Sequence, residues 1–159
     1  MKRHKRQNIG SVSHGTMRSE DLIDSFIYEL QQQRPLSRHH RKLIREIQQR
    51  IKASARLERQ GAEPYYDTED AQEDVERLFD ALDCYAPTGF YFGAHPGDGS
   101  DYGFWLSESF VEDFDGLRVS DLAEIPKGYC GEVLHVNDHG NMSLYAKTRS
   151  SRRELWAIV

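Results

Sequence analysis

Residues 89–105, GFYFGAHPGDGSDYGFW, hold the side chains best suited to chemistry. Two aromatic runs flank a segment of Gly, Pro, Asp and His, which reads as strand, loop, strand, because aromatics favour pleated surfaces while Gly, Pro and Asp favour turns. The loop, expected over residues 93–100, carries His95 and Asp98, with Asp101 just beyond it. A second turn, VNDHGNM at 136–142, adds Asp138 and His139, with His135 close by. Imidazoles and carboxylates together can hold a divalent metal and activate water, so His95, Asp98, Asp101 and His139 define one reading, a metal-dependent hydrolase. A His–Asp general acid/base pair is its metal-free form. Against both stands the spacing. The chain has no D-x-D-x-D-G calcium loop, no His pair at metal-ligating spacing on an expected helix, no G-x-S-x-G, no phosphate-cradling G-x-x-x-x-G-K and no C-x-x-C. Turn formation explains the same residues without catalysis, since Asp and Asn bond to nearby backbone N–H groups. The expectation is therefore no cofactor. His95, Asp98, Asp101, Asp138 and His139 are read as a partner-binding cluster, together with Tyr91 and Tyr102, whose rings are expected to point away from the core.

A second kind of chemistry resides in cations. Lys2, Arg3, Lys5 and Arg6 form a basic arm, and Arg38, Arg41, Lys42 and Arg45 open a basic helix, followed by Arg50, Lys52, Arg56 and Arg59. Such a surface suits nucleic-acid phosphates, although it lacks aromatics for base stacking and the glycine turn of a helix-turn-helix. The distribution is uneven along the chain. Residues 1–59 carry 14 of the 21 Lys+Arg and 6 of the 26 Asp+Glu, leaving an acidic body behind a basic front. Salt-bridging between the two is the simplest alternative use for these charges.

Several elements must position these groups. Residues 1–18 lack periodicity and are expected to be a flexible basic arm. Leu22, Ile23, Phe26, Ile27 and Leu30 follow helical spacing after a Ser19 cap, and Pro35 ends that helix. Leu43, Ile44, Ile47 and Ile51 mark a second helix over 37–57. A third, capped by Asp67 or Thr68, buries Ala71, Val75, Leu78, Phe79 and Leu82 and turns Glu69, Asp70, Glu73, Asp74, Glu76, Asp80 and Asp83 outward. This acidic face suggests an inhibitor that occupies a nucleic-acid-binding protein, or a match for the basic second helix. Beyond Pro87 the period changes to that of strands, expected at 90–94, 102–106, 117–119, 132–137, 141–146 and 153–159. A three-residue turn at Asp138-His139-Gly140 would pair Val136 with Met142 and Leu134 with Leu144.

The chain is long enough, at 159 residues, for one domain with a real core. It has no apolar run near membrane-spanning length and no apolar stretch after its basic start, so a cytoplasmic protein is expected, with Cys84 and Cys130 reduced and half-buried. The segments SHGTMRSEDLI, YFGAHPGDGSDYGFW and HVNDHGN resemble a group of small uncharacterised proteins of bacteria and their phages. That resemblance implies a bacterial or phage origin and an association between the two loops, and it implies no activity.

The resulting expectation is an α+β fold, with three N-terminal helices packed on a C-terminal antiparallel sheet of about four to six strands. The domain would run from 19 to 159, helical over 19–85 and β over 89–159. Its function would be non-enzymatic binding of another macromolecule, most simply a protein and in the form of a phage-type inhibitor or regulator. Nucleic acid, through the arm and second helix, is the alternative partner. No membrane role is expected.

Overall fold

The structure, a computed structural model, describes residues 8–159. It is α+β, with four helices and two sheets among the described residues. No helix of these residues is long and apolar enough to cross a membrane. The described residues form two compact units, one of residues 8–86 and 90–106, the other of 87–89 and 107–159.

The first unit contains strand β1 (Gly10–Ser13), helices α1 (Ser19–Gln32), α2 (Arg38–Glu58) and α3 (Glu69–Asp83), and the hairpin β2 (Phe90–His95) and β3 (Asp98–Leu106). Each helix follows its apolar period. Leu22, Ile23, Phe26, Ile27 and Leu30 of α1 are buried, as are Leu43, Ile44 and Ile47 of α2 and Ala71, Leu78, Ala81 and Leu82 of α3. Ser37 caps α2 by accepting from His40 N at 3.0 Å, and Thr68 caps α3 through Ala71 N at 3.4 Å, each satisfying a free helix-end donor. Ser19 is not the cap of α1 but its first helical residue, and the Arg18 carbonyl accepts from Leu22 N. The antiparallel sheet has the order β1-β3-β2. Phe92 is the hinge of the core, with ring centres 5.1 Å from Phe26, 5.3 Å from Phe79 and 5.0 Å from Phe104.

The second unit contains α4 (Glu108–Glu112), β4 (Leu117–Val119), β5 (Gly131–Val136), β6 (Met142–Lys147) and β7 (Arg152–Ile158). Its sheet has the order β4-β5-β6-β7. Val136 pairs with Met142, Leu134 with Leu144 and His135 with Ser143, the register the turn chemistry predicts. Val133, Leu134, Leu144 and Trp156 are fully buried, and the Trp156 indole donates to the Thr88 carbonyl at 2.8 Å.

Four expectations are corrected. The strands make two sheets, of three and four strands, rather than one antiparallel sheet of four to six, and β4 runs parallel to β5. Residues 10–13, read as part of a flexible arm, form β1. They can pair with β3 because Gly103 has no side chain: a Cβ there would collide with the Gly10 carbonyl. The 93–100 loop contracts to a turn at Pro96 and Gly97, with His95 paired to Asp98 and both strands extended through the Gly-rich segment. Both thiols are exposed rather than half-buried.

Candidate functional site

The β2–β3 hairpin separates its side chains by parity, as strands must. Phe92 and Phe104 share the core face, and Tyr102, two residues before Phe104, joins them there, with its ring 5.9 Å from Phe26. This corrects the outward placement of Tyr102. The opposite face carries Tyr91 directly across from Trp105, both half-buried, over the small Gly93–Gly103 pair. Both polar handles turn back on the backbone: Tyr91 O–H donates to the Ala94 carbonyl at 3.2 Å and Trp105 N–H to the Gly93 carbonyl at 2.9 Å. The exposed His95 ring stands edge-on to Trp105 at 4.6 Å. The rings thus form an aromatic patch in which the Tyr91 hydroxyl, the Trp105 N–H and His95 Nδ1 are hydrogen-bonded to backbone.

The polar groups at the hairpin tip are occupied in a similar way. His95 Nδ1 accepts from Gly97 N at 3.0 Å. Asp98 Oδ1 accepts from the Ser100 backbone N–H at 2.9 Å and its hydroxyl at 2.8 Å. These two bonds, with the nearby His14 and His95 charges, hold the Asp98 carboxyl below its usual range. His14 Nε2 lies 3.5 Å from Asp98 Oδ2, and Ser11 donates to Asp101 at 2.6 Å. Ser, His and Asp therefore meet here, but the hydroxyl donates to the carboxylate and not to an imidazole. That is a fastening for a turn rather than an activated nucleophile. His14 has no partner nearby in sequence, and the β1–β3 pairing is what brings it to the tip, whereas Ser100 reaches Asp98 locally, two residues on.

The second loop belongs to the other unit. Asn137 organises it, its Oδ1 accepting from His139 N at 2.9 Å and Asn141 N at 3.0 Å, while Gly140 takes a φ of +80°. Asp138 and His139 are exposed at its tip. His135 Nε2 lies 3.1 Å from the Ser120 carbonyl. Among the described residues no three His, Cys, Asp or Glu side chains form a group that would hold a metal.

The cationic surface is the more telling one. Lys2, Arg3, Lys5 and Arg6 lie outside the described residues. On α2, successive residues advance about 100°, so Arg38, Arg41, Lys42, Arg45, Lys52 and Arg56 fall within a sector of about 100° opposite Leu43 and Ile47. At 1.5 Å per residue this stripe runs about 27 Å. All six side chains are exposed. Lys42 has an ion pair, 3.5 Å from Glu46 of the same helix, while Arg38, Arg41, Arg45, Lys52 and Arg56 have none among the described residues. The expected match between α2 and α3 is confined to one buried centre. Asp74, fully buried, accepts from Arg50 at 3.0 Å, Arg77 at 2.9 Å and Tyr65 O–H at 2.6 Å. Burial, then the Asp74 bond, raises the Tyr65 phenol well above its usual range. Arg77 also reaches Glu46 of α2 at 3.1 Å, a cation from the acidic helix meeting an anion of the basic one. Asp74 is thus removed from the outward acidic face, and the stripe on α2 stays free. Lys52 and Arg56 complete it, and their seven- and eleven-residue spacing from Arg45 was the available signal.

Beside this centre, α2 and α3 bound a pocket of about 350 Å³ lined by His39, His40, Leu43, Arg77, Asp80, Ala81 and Cys84. The Tyr85 hydroxyl accepts from Ser37 N at 3.1 Å and lies 2.8 Å from His40 Nδ1, so it bridges the start of α2 and the His40 ring. Burial, with the His39 charge, lowers the His40 pKa. Comparison of the chain with protein-family models, curated proteins and solved structures finds no match.

Proposed function

We propose that this protein acts by binding another macromolecule, and that the surface doing so is the basic stripe of α2, laid along the phosphates of a nucleic acid. The carrying observation is that Arg38, Arg41, Arg45, Lys52 and Arg56 form one exposed line of charge with no ion-pair partner among the described residues. A merely solvated helix face usually mixes both signs. Here the acidic helix alongside leaves the line uncovered. Arg38 and Arg41 also occupy the first turn of α2, where no acid offsets the positive end of the helix dipole. Placing cations there costs stability, and an anion lying along the helix would offset that cost. Contacts of this type read the phosphate backbone and not the base sequence. Arg41→Glu with Arg45→Glu should weaken binding of a labelled DNA duplex at least about tenfold at low salt. Unchanged affinity in that variant would refute the reading.

A second reading has its own observation, the satisfied aromatic patch of Tyr91, Trp105 and His95. Flat rings with few unmet polar demands suit a protein contact. Trp105→Ala should then abolish capture of a host protein while leaving duplex binding intact.

A further inference from the structure

The second unit carries an unassigned cationic site at the tip of the β6–β7 hairpin. Residues 60–159 contain 7 Lys+Arg against 20 Asp+Glu, yet four of those seven cations, Lys147, Arg149, Arg152 and Arg153, fall within seven consecutive positions. We propose that this tip is a second contact for a nucleic-acid backbone, each arginine gripping a phosphate; the inference rests on the reading of α2 as a phosphate-binding surface.

Lys147 and Arg152 stand directly opposite each other across the strand pair, and Arg153 faces Ala146. Like charges paired across strands destabilise a sheet, so the tip, like the start of α2, holds cations where folding alone disfavours them. None of the four makes an ion pair among the described residues. Three of the four are exposed, and Lys147 is half-buried with its ammonium on the Thr148 carbonyl at 2.5 Å.

The turn is also rigid. Thr148 N donates to the Ser151 carbonyl at 2.8 Å, and Ser151 N donates to Thr148 Oγ1 at 3.0 Å. The two hydroxyls lie 2.7 Å apart, and Arg152 is stacked over the Tyr145 ring at 5.1 Å. A rigid ribbon carrying planar guanidinium groups lowers the ordering cost of gripping phosphate, and Arg offers the paired N–H geometry that phosphate accepts. No large apolar side chain occupies the tip, residues 147–153, to anchor a protein partner.

The test is the salt dependence of binding for the whole chain, measured with a fluorescent DNA duplex and, in parallel, a single-stranded RNA. Arg149→Gln with Arg153→Gln is the first variant, since both side chains are exposed and their removal leaves the turn bonds in place. Adding Lys147→Gln and Arg152→Gln is the second. The first should melt like the parent, and the second at the same temperature or above it, since it removes the Lys147–Arg152 like-charge pair. The slope of log affinity against log salt should shrink by about 0.9 for each duplex phosphate that the variant no longer neutralises, and by less on the single strand. A slope identical to the parent's, in chains that still bind, would overturn the tip site and leave α2 standing. No binding by the parent chain would overturn both. Displacement of the duplex by polyglutamate at matched charge would also overturn the proposal, assigning the tip to an acidic protein.

Discussion

Arg41 lies on the stripe and in the first turn of α2, so a change there has two separable effects. Arg41→Glu should raise thermal stability by about 0.3–1 kcal/mol, because an acid at that end suits the helix dipole, while it lowers affinity for duplex DNA. A structural residue would lose both together; a functional one exchanges the first for the second. Calorimetry beside a binding titration reads the two signs, and a loss of stability would contradict the assignment. His40 makes a different demand. Its Nδ1 lies 2.8 Å from the Tyr85 hydroxyl, and burial, with the His39 charge, lowers its pKa from 6.5, so the folded state prefers the neutral ring. Stability is therefore complete above the unfolded value and declines as pH falls through about 6.5 toward the lower folded value. His40→Gln should flatten that decline in melts between about pH 7.5 and pH 5.5. Equal pH dependence in both chains would show that His40 is not the titrating group. The Tyr85 partnership was not legible in sequence, since 45 positions separate the two residues.

At the scale of elements, periodicity carried most of the fold. The apolar positions of α1, α2 and α3 and the β5–β6 register follow from spacing and one glycine turn. Two elements did not follow. Strand β1 has four residues, GSVS, with no alternation to reveal it, and it exists because Gly103 admits it against β3. Asp74 was grouped with the outward acids of α3, although it stands three residues after Ala71 and four before Leu78, on the buried side of the same helix. Its partners come from Tyr65, Arg50 and Arg77, and only Arg77 is a neighbour in sequence. Asp74→Ala should cost about 1–3 kcal/mol, chiefly by leaving the buried Tyr65 hydroxyl without its acceptor, and chemical denaturation reads it directly. A cost below about 1 kcal/mol would mean the centre is solvated like a surface pair. The candidate hairpin was legible as a place but not as a geometry. Strand parity sends Tyr102 inward and pairs Tyr91 with Trp105, and the adjacent aromatics obscured that alternation.

At the scale of the whole molecule, the basic α2 and the acidic α3 lie in the same unit. The single buried acid of α3 binds Arg50 and Arg77 and leaves the α2 stripe uncovered. The second unit depends on its last strand, because Trp156 is fully buried and bonded to Thr88. Ending the chain at Glu154 should remove several kcal/mol, as deletion of a buried tryptophan does, and abolish the cooperative melt of residues 107–154. Unaltered melting would contradict that core. The central claim, that α2 lies along phosphates, is tested most directly by nuclear magnetic resonance of the arginine Nε–H groups during titration with a DNA duplex. The signals of Arg38, Arg41, Arg45 and Arg56 should shift, and that of the Trp105 indole should stay. Duplex binding that moved the Trp105 signal and left those arginines unperturbed would contradict it.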